Sequence, residues 1–255
     1  MHNDPAPFKN RRNAGLRLAV DLAYLKQEKP IVLALPRGGI PVAYEIAHEL
    51  SAPLDVLLVR KMGSPFSSEL GIGAVVDGQP PQHVINQELV NRLNISATYL
   101  QEEEQRQLAE IERRRRRYCG NRMPLQVYGR TVIVVDDGIA TGATMTAALK
   151  ALARSGAHKL IFAVPVAPPE VVKRLRAQVD DGACLLTPAD FQSVGSYYED
   201  FEQTSDEEVL ALLDRQYADL SLSLRKGLYL PPDAAAADAN PLADSCGTDE
   251  DIARC

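Results

Sequence analysis

The chain is expected to fold as an α/β protein with a mostly parallel, twisted sheet flanked by helices, and three observations carry that expectation. Short apolar runs of strand length, IVLAL at 31–35, VIVV at 132–135 and LIFAVP at 160–165, are separated by stretches whose apolar residues recur at helical spacing. The β-α-β order repeats at roughly 30-residue intervals, the length of a parallel crossover. The 255 residues, the size of one large α/β domain or two small ones, are 45% apolar and 24% charged, the balance of a globular protein able to bury a core.

Taken in order, Leu18, Leu22 and Leu25 mark a first helix, 31–35 a buried strand, and Ile40, Ala43, Ile46, Ala47 and Leu50 the inward face of a second helix. Residues 54–59 (LDVLLV) read as a strand. A helical insertion at about 86–118 contains a long helix over 97–118, with Glu102, Glu103 and Glu104 early and five arginines, 113–117, at its end. That polarity complements the helix dipole, and Glu110–Arg114 and Glu112–Arg116 are favourable i,i+4 pairs. Its apolar stripe is thin (Leu100, Leu108, Ile111), so the arginine run reads as a solvated or subunit-facing helix end, with a nucleic-acid or phosphate patch as the alternative. Residues 132–135 form a strand buried on both faces, 142–154 a helix and 160–165 a strand, and Ser205-x-x-Glu208 is a capping box opening a later helix. The domain is expected to span 1–230, followed by a disordered acidic tail at 231–255, rich in Ala, Asp and Pro and without aromatic residues.

Charge and composition narrow the function classes. The net charge is −6, but the tail holds six acids against one base and the body is nearly balanced, which argues against a nucleic-acid-coating protein. No run approaches the ~18 apolar residues of a membrane span, and no apolar segment follows the basic N-terminal residues as in a secretory signal. Cys119, Cys184, Cys246 and Cys255 show no C-x-x-C pairing, which argues against a zinc site or disulfide framework and for a reducing cytoplasm. His2, His48, His83 and His158 lie in unrelated contexts and receive no role.

The chemistry concentrates in residues 131–144, TVIVVDDGIATGAT. A buried strand ends in two acids, a loop of small residues follows, and a helix begins. The loop amides and the coming helix N-terminus make a cup for a phosphate monoester. Asp136 and Asp137 are placed to accept hydrogen bonds from vicinal sugar hydroxyls, so the whole asks for a ribose 5-phosphate. A P-loop needs Lys-Ser/Thr after its last glycine, and Ala143 follows Gly142 here; a dinucleotide fingerprint is absent as well. An ordinary βα turn with an acidic strand end is the plainer alternative.

This string resembles the 5-phosphoribosyl-1-pyrophosphate (PRPP) binding motif of type I phosphoribosyltransferases. The resemblance implies that PRPP is bound by Asp136, Asp137, Gly138, Ile139, Ala140, Thr141, Gly142, Ala143 and Thr144. Residues 33–39 (LALPRGG) resemble the family's pyrophosphate loop, with Pro36, Arg37, Gly38 and Gly39 at the binding positions and a cis peptide expected between Pro36 and Arg37. Residues 59–76 resemble the flexible catalytic loop (about 62–80) and its anchoring strands. Arg60 and Lys61 are then expected to meet pyrophosphate oxygens, and the segment from Ser64 to Ser68 to move. Residues 186–201 resemble the hood that covers the acceptor base, here about 186–220, where Phe191, Tyr197 and Tyr198 are expected to stack on a heterocycle. The motifs R-K-M-G, E-L-G-I-G-A-V and Y-E-D-F-x-Q-T-S-D-E-E-V are most similar to the bacterial predicted-phosphoribosyltransferase group, whose substrate is not settled.

The resemblance implies a pentosyl-transferring enzyme of nucleotide salvage. It would move the 5-phosphoribosyl group from PRPP to a small nitrogen acceptor, a nucleobase, and release pyrophosphate. Arg37, Lys61, Asp136 and Asp137 would be its catalytic residues. Mg²⁺ is the implied cofactor, held by Asp136 and Asp137 through water, and a homodimer is the implied assembly. One position departs: purine-salvage relatives carry an acid where this chain has Ala140, which leaves Glu69 as the substitute base. The alternative is a PRPP-sensing regulatory protein that binds nucleic acid with reduced catalysis; only the arginine run supports it.

Overall fold

The computed structural model describes residues 8–78 and 80–225, so the acidic tail lies outside the described residues. Five parallel strands form the central sheet in the order β2 (Leu54–Val56), β1 (Ile31–Ala34), β6 (Thr131–Val135), β7 (Lys159–Val166) and β8 (Asp181–Leu186). Every residue of β1 and β6 is buried, because both faces of the sheet are covered and an uninterrupted apolar run is what such a strand needs. Side chains alternate between two cores. Val32, Ala34, Ile133 and Val135 meet α1 (Arg11–Asp21) and α2 (Gly39–Leu50) on one side. Ile31, Leu33, Val132 and Val134 meet α5 (Ala143–Arg154) and α6 (Pro169–Arg176) on the other.

The chain leaves β1 toward β2 on one flank and returns to β6 on the opposite flank. Strand order therefore reverses between β1 and β6, and the crevice beyond their carboxyl ends is where such sheets hold ligands. Both motifs singled out above, 33–39 and 131–144, end there.

Residues 54–59 are not one strand. Leu57 donates its amide to Ala34 of β1 at 2.8 Å, whereas Leu58 accepts from Asp77 at 2.8 Å, so the chain changes sheets between them. It continues into a three-stranded antiparallel sheet of β3 (Val59–Ser64), β4 (Ser67–Val76) and β5 (Gln82–Ile85). The segment expected as a loop at 62–80 is thus largely a β hairpin. Its tip is closed by Ser64, whose hydroxyl accepts from the Ser67 amide at 3.1 Å, and register shifts interrupt the ladder beside Gly63.

The insertion divides into α3 (Gln87–Arg92) and α4 (Ala97–Cys119), capped by the side chains of Asn86 and Ser96. α4 lies along β3 and is held there by polar contacts, which explains its thin apolar stripe. Tyr99 donates to the Gly63 carbonyl at 3.0 Å, and buried Glu103 accepts from the Gly63 amide at 3.3 Å. Near the far end, Arg115 bridges Asp55 at 2.6 Å and Asp77.

The hood is shorter than expected. Residues 187–205 are irregular apart from one 3₁₀ turn (Val194–Tyr197), and α7 (Asp206–Arg225) instead packs on α2 and α4. No helix among the described residues is long and apolar enough to cross a membrane.

Candidate active site

The site is built where the ends of β1 and β6 meet. The peptide between Pro36 and Arg37 is cis, as the sequence motif implies. Gly38 then passes so close to β6 that a Cβ at this position would overlap the Asp137 carboxylate, so only glycine admits this approach. On the β6 side the hood presses equally close: a Cβ on Gly138 would run into Val194.

Beyond Gly138, Ile139 turns its side chain into the core and contributes only backbone to the cup, while Ala140, Thr141, Ala143 and Thr144 are exposed. Gly142, at φ 77°, starts α5, whose first amides lack intrahelical acceptors by the geometry of any helix. Arg174 of α6 braces the cup from behind by donating to the Thr141 carbonyl. Nothing in the sequence singled out Arg174, since one arginine in a basic helix turn carries no signal.

The two acids have different surroundings. Asp136 accepts the Asp137 amide on Oδ1 at 2.9 Å, and burial, followed by the neighbouring Asp137, pushes its carboxyl well above the usual range. Asp137 accepts from Arg11 Nε at 2.7 Å, and its backbone carbonyl accepts the Tyr198 hydroxyl at 2.5 Å.

Arg60 and Lys61 diverge, as successive side chains on a strand must. Lys61 borders a cavity of about 630 Å³ with Thr144, Thr146 and Lys150 of α5, next to the cup. Arg60 donates to Gln107 of α4 at 3.1 Å, and Arg60 and Lys61 both border a second cavity between the β3–β4 hairpin and α4. Glu69 lies on β4, and its side chain falls outside the described residues.

In the hood, Tyr198 is buried between Phe8 and Phe201, at ring separations of 5.3 and 4.9 Å. Its faces are occupied, which corrects its assignment as a stacking platform. Phe191 and Tyr197 are half-buried and stack on each other at 5.7 Å. Arg37 stands 3.8 Å from Asp206, which also takes the Tyr118 hydroxyl at 2.6 Å and Arg117 at 2.7 Å. The Tyr118 hydrogen bond, with help from Arg117 and Arg37, holds the Asp206 carboxyl below its usual range.

The arginine run is closed by ion pairs. Arg113 and Arg114 meet Glu110, Arg115 meets Asp55 and Asp77, Arg116 meets Glu112 and Arg117 meets Asp206. Each of the five arginines thus has at least one carboxylate partner. Among the described residues no cluster of three or more metal-ligating side chains forms.

Residues 15–201 match the family described as "Phosphoribosyl transferase domain". Two Mycobacterium tuberculosis proteins, each named "Putative phosphoribosyl transferase", are 45% identical over 214 residues, 84% of this chain. The match covers 48% of their length, so the chain spans about half of these curated relatives. The crystal structure of TT1426 from Thermus thermophilus superposes with a TM-score of 0.72 at 43% identity, covering 82% of this chain and 99% of that one.

Proposed function

Because the chain belongs to the phosphoribosyl transferase domain family, we propose that it transfers the 5-phosphoribosyl group of PRPP to a nitrogen acceptor, a nucleobase, and releases pyrophosphate. The observation that carries this reading is the meeting of two loops at the reversal of strand order. A glycine loop bearing Arg37 touches an acid that leads directly into a cup opening on a helix N-terminus.

The donor's 5-phosphate sits in the cup of 138–144, on backbone amides and the hydroxyls of Thr141 and Thr144. Asp137, with Asp136 behind it, orients the ribose hydroxyls. Arg37 and Lys61 stabilise the charge that develops on the departing pyrophosphate, where preorganised cations are most effective. The anomeric carbon is left open on the face away from pyrophosphate, so the acceptor nitrogen attacks there and configuration inverts. Phe191 and Tyr197 line the acceptor's approach, and the β3–β4 hairpin excludes water when it closes. With alanine at 140, the acceptor's proton passes to Glu69 of the hairpin. Asp136 and Asp137 offer only hard oxygen donors, a set that suits Mg²⁺ bound through its own waters; the ion would neutralise pyrophosphate charge.

The test is calorimetric titration of PRPP with Mg²⁺, together with turnover against a panel of bases. Asp137→Asn and Arg37→Ala are each expected to lower turnover by about 10²–10³-fold while circular dichroism stays unchanged. Wild-type turnover in both variants would refute the site.

A further inference from the structure

Resting on the reading above, we infer that Arg11, which no sequence motif marks, is the positioning residue for the ribose-gripping carboxylate of Asp137. Arg11 opens α1, where Asn10 caps the helix by accepting the Asn13 amide at 2.9 Å. Its side chain is only 12% exposed although it carries a full charge and stands near the start of the described chain. Three contacts fix it. Nε donates to Asp137 Oδ2 at 2.7 Å, Nη1 donates to the Glu202 carbonyl at 2.7 Å, and the guanidinium lies 3.8 Å above the Phe201 ring.

The way the contact is made matters. A carboxylate has about four acceptor positions, and Arg11 engages one oxygen through Nε alone rather than both through the guanidinium fork. In the inferred complex a sugar hydroxyl is taken by the second oxygen of Asp137. Held in this way, the guanidinium sets the direction in which the Asp137 carboxylate faces. A planar guanidinium already stacked and hydrogen-bonded loses little freedom in doing so.

The anchor of this arrangement is the hood. Phe8 and Lys9 pair with it through the Phe8 amide to the Tyr197 carbonyl, the Glu199 amide to the Phe8 carbonyl and the Asp200 amide to the Lys9 carbonyl, at 2.8 to 3.0 Å. Tyr198 donates to the Asp137 carbonyl from the same segment. The hood, the segment before α1 and the acid therefore form one hydrogen-bonded unit, with Arg11 as the element that reaches the carboxylate.

A hood staple and an acid-positioning residue make different predictions. Ribose 5-phosphate places a phosphate in the cup and hydroxyls on Asp137, whereas inorganic phosphate reaches only the cup. Calorimetric affinities for both probes, measured with EDTA present, isolate the hydroxyl contribution. Arg11→Gln is expected to reduce the preference for ribose 5-phosphate over inorganic phosphate by about tenfold, the size of one lost charge-assisted contact, with phosphate affinity unchanged. Arg11→Lys keeps a cation beside Asp137 but loses the planar stack on Phe201 and the Glu202 contact, and is expected to retain most of the preference. An unaltered preference in Arg11→Gln would overturn the inference. So would equal loss of both probes in the Gln and Lys variants together with a lower Tm, the signature of a staple. A wild-type protein that binds ribose 5-phosphate no better than phosphate would instead sink the phosphoribosyl reading, and this inference with it.

Discussion

Asp136 and Asp137 are chemically identical neighbours, yet Asp137 accepts from a guanidinium and Asp136 from a backbone amide. For Asp136 the folded-state pKa lies above the unfolded one, first through burial and then through the charge next door. The folded protein thus holds this proton more tightly than the unfolded chain does. Its contribution to stability is intact near the unfolded carboxylate range, erodes as pH rises through the folded value, and stays lost above it. Asp136→Asn removes the titration while keeping an oxygen for the Asp137 amide. The variant should melt above wild type at pH 8 and approach it at pH 4, while PRPP binding weakens. A Tm difference independent of pH would show that Asp136 titrates as an ordinary acid. The pair itself was legible in the sequence, as were Arg37, the glycines and the threonines, because they lie in contiguous strings. Arg11 was not: it reaches Asp137 across 126 positions and Glu202 across 191, and no local spacing encodes either contact.

At the scale of elements, α4 was legible almost to the residue from its ion pairs and its charge polarity. What escaped was that one of five consecutive arginines, Arg115, turns inward, its side chain only 12% exposed. The signal was present: Leu108, Ile111, Arg115 and Tyr118 follow a 3-4-3 spacing, which puts Arg115 on the apolar stripe. There it ties α4 to Asp55 of β2 and to Asp77 at the base of the hairpin, beside buried Cys119. Burial, with the Asp55 charge second, pushes the Cys119 thiol up to about 12, so it stays protonated and inert in the native protein. Arg115→Ala would leave two buried carboxylates facing each other. It should cost about 3–5 kcal/mol in urea denaturation and expose Cys119 to thiol reagents before global unfolding. A loss below about 1 kcal/mol would place the triad among surface pairs. The hairpin was the harder element, because the glycine- and serine-rich strings of β3 and β4 carry turn chemistry in a paired ladder. The end of the hood was misplaced for a related reason: the capping box at Ser205 marks where α7 starts, not which layer it joins.

For the whole molecule, the reversal of strand order between β1 and β6 does the organising, and the alternation of apolar runs with helices foretold the sheet that creates it. Long-range electrostatics follow from how α4 is neutralised. With each of its five terminal arginines held against a carboxylate, the helix presents closely spaced dipoles to solvent, whose fields decay faster than those of bare charges. The chain as a whole carries −6. A polyanionic donor therefore feels little pull until it is within a few ångströms of the cup. Stopped-flow association of PRPP between about 0.01 and 0.15 M salt, where the Debye length shrinks from about 30 to 8 Å, should vary less than about threefold. A steep decline would reveal cations elsewhere acting at a distance. Collisions are then gathered by ordinary diffusion rather than funnelled, and the encounter should run at nearly the same pace in dilute buffer and in a salty cell.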